Sequence, residues 1–526
     1  MRLGLHEQAK NLNRSPWLGL NMTLVKQFAD QCALCRMIHT EIRKATPSDS
    51  HVLSVFKVDD REGRIAGIWF YYGFERHSVA KLCCYADEGT YASRYLVHRH
   101  VSSSGSSTSI SRIRKWLSDC EKNHEQCKLA ISGKEIAFKP VLPTRVLSIR
   151  GYPESLHLFV TGGKREKYMA LSHCWGGKPQ YRTTKANLEE NQRSIDSTRL
   201  SETIKNAIQI ATSIDVPYLW VDSLCIIQED EEDFIRESCM MASVYQQACC
   251  VIAATAAANG SMGLSQRTPS HSLTSLPCDP RKPEHGNMYL GPGDDQALER
   301  SLFRGPLNQR GWVLQERIFA RRTIHFAGDQ IYWECDKEFV GEDGGDMQGA
   351  ADTETITRSL LCKIIDDFRG FRRNHNFPHQ GRFDRNSDLH SLWAGLVSLY
   401  SRCGLSNPND KLPALQSLTL ELGSILNLQF HEGHLFDNTR FVLSGLLWRA
   451  AKGTSLVKPC QHRAPSWSWA STDGPINFTD LMLDDSNIAI RCQAKLCYAA
   501  ALLSSAFDSG TTLRKEKPPP ASKVYR

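Results

Sequence analysis

The sequence predicts an α/β protein built on a parallel sheet. Two observations carry this. Three short apolar runs, KYMALSHCW (167–175), YLWVDSLCII (218–227) and CCVIAATAA (249–257), are separated by two segments with helical apolar spacing. The runs are also near-continuously apolar, as central parallel strands covered on both faces must be. Strand, helix, strand, helix, strand in this order implies parallel pairing through right-handed crossovers.

Each element has its own signal. KYMALSHCW ends in Gly176-Gly177, a turn signal. Ser201 is an N-cap for SETIKNAIQIATSI, in which Ile204, Ala207, Ile208 and Ala211 recur at helical spacing. YLWVDSLCII is the second strand. The following EDEEDFIRESCMMASVYQQA places Phe234, Met241, Tyr245 and Ala248 on one helical face. Its acidic start suits a first helical turn, where the macrodipole favours each negative charge by ~0.3–1 kcal/mol. CCVIAATAA is the third strand.

At 526 residues the chain is too long for one core and should form two to four structural units. Apolar residues make up 41% and charged residues 23%, a globular composition. The formal charge of +7 is mild for this length. The basic runs RIRK (112–115) and RGFRR (369–373) lack aromatic interleaving, so nucleic acid is not an expected partner. No apolar run reaches the ~20 residues that span a bilayer. MRLGLHEQAKNLNRSPW has no uninterrupted apolar core of the secretory kind. With 18 cysteines, that points to a reducing, cytoplasmic setting and to thiols or metal ligands rather than disulfides. No period of 20–50 residues marks a repeat array.

The expected organisation has five parts. Residues 1–135 form an N-terminal Cys/His-containing region, mainly helical or mixed. Residues 140–345 form the α/β domain. Within it, 261–305 is rich in Pro, Ser, Gly and charge, and reads as a surface insertion with little regular structure. Residues 346–388 are a linker, 389–500 a smaller C-terminal α+β region, and 501–526 a disordered tail. VSSSGSSTSIS (101–111) is a Ser-rich flexible stretch.

Three stretches together resemble the fungal heterokaryon incompatibility (HET) domain. They are YMALSHCWGG (168–177), the span from LSETIKNAI (200–208) through CCVIAATAA, and LNQRGWVLQERIFARRTIHFAGDQIYWEC (307–335). Three in order, over 168–335, are specific where one would be weak. WLSDCEKNHEQC (116–127), LPTRVL (142–147), NDKLPAL (409–415) and APSWSWAS (464–471) resemble patterns that flank this domain. The resemblance implies a role in non-self recognition and programmed cell death when fungal cells fuse. It also implies a TIR- or flavodoxin-like parallel core, and other proteins as partners, by self-association or through an allelic or non-allelic incompatibility partner.

Some TIR domains cleave NAD with a glutamate in the helix after a central strand, and Glu237 occupies a similar place. The family usually has Trp where this chain has Phe234, a departure that weakens the analogy. Glycosidic cleavage needs a carboxylate to hold the ribose or stabilise an oxocarbenium-like centre. Asp222, toward the carboxyl end of its strand, is the second candidate, since ligand crevices open at that end of parallel sheets. A buried carboxylate needs donors, so Asp222 is expected to be mostly buried and bonded to the turn at 172–177 or the loop holding Gln228. Ser172, His173, Trp175 and Gly176 are candidate ligand contacts around a possible phosphate turn. The alternatives are a structural Asp222, an exposed or paired Glu237, and a core that assembles without chemistry. Glu316 and Arg317 are expected to form a structural pair.

Cys32 and Cys35 form a CxxC, and Cys120, His124 and Cys127 share one helical face. Cys32, Cys35, His124 and Cys127 could hold a tetrahedral zinc, with Cys120 as the alternate. The competing reading is a small core of reduced thiols.

Overall fold

Alternating apolar residues govern the first part of the chain. The structure is a computed structural model, which describes residues 18–45, 52–59, 63–72, 78–101, 107–177, 180–264, 273–279, 281–293, 297–347, 385–436 and 445–478. β1 (Leu18–Asn21) leads into α1 (Met22–Phe28), whose first turn is capped by the Asn21 side chain accepting from Thr23 N and Leu24 N. α2 (Ala33–Ala45) follows, then β2 (Val52–Asp59), β3 (Ile65–Tyr72), β4 (Ser78–Ala86) and β5 (His98–Arg99). Strands β1 to β4 pair antiparallel in sequence order. Met22, Val25 and Ile42 on the two helices pack with Leu53, Val55, Phe70 and Leu82 on the sheet. Of the expected mainly helical or mixed N-terminal region, the mixed form is the one present, with the sheet β1 to β4 packed against α1 and α2. VLSVFKVD and IAGIWFYY are rich in β-branched and aromatic residues, and Leu53 and Val55 of the first strand and Leu82, Cys84 and Ala86 of SVAKLCCYA are buried at period two.

The core sheet comes next. α3 (Ser107–Asn123) precedes the antiparallel pair β6 (Arg145–Gly151) and β7 (Ser155–Val160). Then follow β8 (Met169–Ser172), α4 (Leu188–Arg193), α5 (Glu202–Ser213), β9 (Tyr218–Val221), α6 (Asp222–Cys225), α7 (Glu231–Gln247) and β10 (Cys250–Ala253). Every residue of β8, β9 and β10 is buried. β8 lies between the other two and is parallel to both, with Ala170 level with Trp220 and Val251. α5 buries Ile204, Ala207, Ile208 and Ala211. Each buried isoleucine contributes about 1.5–3 kcal/mol relative to exposure.

YLWVDSLCII is strand only as far as Val221, where a strand of ten residues was expected. Asp222 opens a helical turn whose backbone serves two neighbours: Ser223 O accepts from Thr183 N at 3.0 Å, and Asp222 O accepts from Ile226 N at 3.1 Å. The expected acidic helix start is present: Asp230 caps α7, and Glu231, Glu232 and Asp233 form its first turn.

The segment 261–305 also departs from expectation. It contains β11 (Thr274–Pro277) and β12 (Asn287–Pro292), an antiparallel pair. β12 pairs with β4, aligning Tyr289 with Tyr85, so the insertion completes the N-terminal sheet. Short strands set among Pro, Gly and charge carry little periodicity, and their partner lies far back along the chain.

α8 (Gly311–Phe319), β13 (Arg322–Phe326), β14 (Ile331–Cys335) and β15 (Phe339–Gly341) close the core. β13 is parallel to β10, while β14 and β15 continue antiparallel. The eight strands run β15-β14-β13-β10-β8-β9-β6-β7. α9 (Arg385–Tyr400) and α10 (Pro413–Leu426) follow, and α10 packs on α7 and α8. Two two-stranded ribbons end the described chain: β16 (Gln429–His431) with β17 (His434–Phe436), and β18 (Trp448–Ala450) with β19 (Ile476–Phe478). Nearly all of the expected linker, and the whole tail, lie outside the described residues. The described residues all fall within one compact unit. No helix among the described residues is long and apolar enough to cross a membrane.

Candidate functional site

The parallel strands β8, β9 and β10 end together, and their carboxyl ends carry a polar cluster. Ser172 is the last residue of β8, and Asp222 follows β9 directly. Asp222 Oδ2 accepts from Trp175 Nε1 at 2.9 Å, and Oδ1 accepts from Ser223 N at 2.7 Å. Gln228 Nε2 donates to Asp222 O at 3.3 Å. The Asp222 side chain keeps 22% of its surface exposed. It is therefore held in place by the turn at 172–177, yet one part of it faces outward.

His173 lies beneath it. Its side chain is buried, Nδ1 is 3.8 Å from Asp222 Oδ1, and neither ring nitrogen has a hydrogen-bond partner among the described residues. Burial pushes the imidazole down from its ordinary value, with Asp222 opposing. A buried neutral imidazole with two free nitrogens is costly unless something occupies them.

Glu316 is the residue that sequence reasoning misplaced. It was paired with Arg317, but Arg317 turns to Glu334 at 3.0 Å. Glu316 instead projects from the inward face of α8 and accepts from Ser172 Oγ at 2.5 Å. Burial pushes its carboxyl up to about 7, despite Arg310, Ser172 and Tyr245 favouring the ionised form. Asp222 adds to the upward shift. Arg310 meanwhile donates to His173 O, tying the start of α8 to the end of β8. Glu316 and Arg317 leave α8 in different directions here, and each meets its own partner.

Gly176 has a packing reason. Its φ is +76°, and an added Cβ would sit 2.3 Å from Asn259 Cβ. Gly177 has no such constraint. The glycine serves close approach of the 259 loop, so it offers no independent support for a phosphate cradle.

Glu237 belongs elsewhere. It is 2% exposed and lies 3.6 Å from Arg145 Nη2 and 3.3 Å from Arg236 Nε. Arg145 also holds Asp233 at 2.5 Å and Cys225 O at 2.7 Å. Asp233 in turn accepts from Ile227 N at 2.7 Å. One Asp of the acidic run thus anchors α7 to β6, which the macrodipole account did not include. Glu237 also lines a cavity of about 480 Å³ with Leu142, Thr144, Tyr168 and Met240. Asp222 does not line it, and among the described residues the two carboxylates have no ion-pair partner in common. The structure does not bring Glu237 and Asp222 into one site.

The cysteine expectation is corrected in its membership. Cys35 packs against the N-terminal core, and its backbone N–H approaches Cys32 Sγ at 3.3 Å. Neither thiol joins the Cys120 group. Cys120, His124 and Cys127 do converge, and their fourth neighbour is Cys335 of β14. The signal for Cys335 was its place in IYWEC, a buried strand end far along the chain.

Residues 168–316 match the family model described as Heterokaryon incompatibility protein (HET). That span contains Ser172, His173, Asp222, Arg310 and Glu316. No curated protein and no solved structure matches the chain.

Proposed function

We propose that the chain, whose residues 168–316 match the heterokaryon incompatibility family model, acts as an effector of fungal non-self recognition whose activation leads to programmed cell death. Partner proteins, or further copies of the chain, supply the trigger. The order β9-β8-β10-β13 is the second-first-third-fourth order of flavodoxin-like sheets. It supports a TIR-like core, with the ligand crevice at the switch point beside β8.

The chemistry proposed there is hydrolysis of the nicotinamide–ribose bond of NAD. The observation that carries it is the Asp222–Ser172–Glu316 cluster, two carboxyl groups at the carboxyl ends of parallel strands. Their environments differ, as acid–base pairs require. Asp222, partly exposed, holds the ribose and stabilises the oxocarbenium-like centre. Water adds to the anomeric carbon, the glycosidic bond breaks, and nicotinamide departs with the bonding pair. The proton released from that water passes to Glu316, whose pKa near 7 suits it to accept one.

The test combines two measurements. Purified chain is incubated with NAD and nicotinamide release is followed by chromatography. The same chain is induced in fungal hyphae and scored with a viability dye. Asp222→Asn should reduce nicotinamide release at least 100-fold and abolish killing, with its melting temperature preserved. Killing by both wild type and Asp222→Asn, without nicotinamide release, would replace the enzymatic reading with assembly alone. A chain that does not kill overturns the effector reading itself.

A further inference from the structure

Cys120 and His124 lie at the end of α3, Cys127 on the turn after it, and Cys335 at the end of β14. Their four ligand atoms all lie within 4.8 Å of one another. Cys120 and Cys127 are 0% exposed, Cys335 7% and His124 9%. A zinc with Zn–S bonds of ~2.3 Å sets tetrahedral ligand atoms about 3.8 Å apart. Small side-chain rotations therefore close this cluster around an ion.

The surroundings fit a metal better than a pocket of thiols. His124 Nδ1 points at Cys335 Sγ at 3.6 Å, while Nε2 lies 3.5 Å from Glu338 Oε1. That is the outer-shell arrangement of a metal-bound imidazole, in which one nitrogen binds and a carboxylate orients the other. Arg322 Nε donates to Cys120 Sγ at 3.0 Å. Arg322 Nη2 and Arg321 Nη1 reach Cys127 O at 3.2 and 3.0 Å. Three thiolates and a dication leave one negative charge, which the Arg322 guanidinium balances inside the protein. A disulfide would use two of the three sulfurs and give no role to His124 or Glu338.

We propose that Cys120, His124, Cys127 and Cys335 bind one structural zinc ion, which clasps the helix before the core to the antiparallel edge of the core sheet. Softness selects the metal: three sulfurs and one imidazole suit zinc and disfavour magnesium or calcium. The set has no open position, so the site is structural and not catalytic. It stands independently of the Asp222 cluster.

Metal analysis of the purified full chain should give one zinc per molecule, and X-ray absorption at the zinc edge should show three sulfurs and one nitrogen. Cys335→Ser should bring the zinc content below one tenth of the wild-type value. The double variant Cys32→Ser/Cys35→Ser should keep it whole. If Cys335→Ser does not fold, the absorption spectrum of the wild type still decides. A chain without zinc that takes up none on refolding with the metal overturns the proposal. So does a shell of oxygen and nitrogen only, or a disulfide joining two of the three cysteines.

Discussion

Glu316 and Glu334 are two buried carboxyl groups on neighbouring elements, and the protein treats them in opposite ways. Glu334 sits on β14, on the antiparallel side of the sheet. Burial would raise its pKa, but Arg317 at 3.0 Å and His325 at 2.8 Å outweigh that and hold it at about 2. Glu316 sits at the carboxyl ends of the parallel strands. There a serine hydroxyl and a more distant arginine do not offset burial, and its pKa rises to about 7. The first group is compensated and serves the fold. The second is left under-compensated within the matched domain, and such groups concentrate at functional sites.

The largest effect should come from breaking the compensated side. Arg317→Met leaves Glu334 with only His325 and should cost about 3–5 kcal/mol in urea denaturation. The wild type should also lose stability in acid through this carboxyl. Its folded pKa is depressed, so the contribution is complete above the unfolded value of 4.5 and is lost as pH falls through about 2. In Arg317→Met that acid slope should flatten; an unchanged slope would deny Arg317 its role.

Glu316 should show the opposite limb. Its folded pKa is raised, so its contribution is present below 4.5 and is lost as pH rises through about 7. Glu316→Gln should remove this decline. Urea titrations should find the variant more stable than wild type at pH 8 by about 1–3 kcal/mol, yet unable to release nicotinamide at the wild-type rate. Equal stability across the pH range would put the two carboxyls in the same class.

The smallest effect sharpens the comparison. Ser172→Ala removes one hydrogen bond to Glu316 and should cost about 1 kcal/mol at pH 8. At pH 5 the cost should be smaller, because the protonated carboxyl needs that donor less. A pH-independent loss would mean that the hydroxyl serves packing only.

Much of the core was legible in advance because its signals are local. Apolar runs of strand length, helical spacing and capping residues act over a few neighbours, so the strand–helix alternation could be read from the chain. The same logic placed Asp222 beside the 172–177 turn. Two of the N-terminal strands, β2 and β4, carry a local period-two pattern of the same kind. The sequence leaves Glu237 open between exposure and a pair, because a helix carboxylate looks alike in either setting; the structure pairs it with Arg236 and Arg145.

What the sequence alone determined is the run of α/β elements over 168–335, the HET resemblance, and the position of Asp222 at a strand's carboxyl end. Only the tertiary structure decided that Glu316 meets Ser172, that Cys335 and not Cys32 joins Cys120, and that β12 pairs with β4. Periodicity and capping are energies between residues a few positions apart. These partnerships join residues far apart in the chain, and which of many equivalent carboxyls, thiols or strand edges meet is settled by packing the whole core at once.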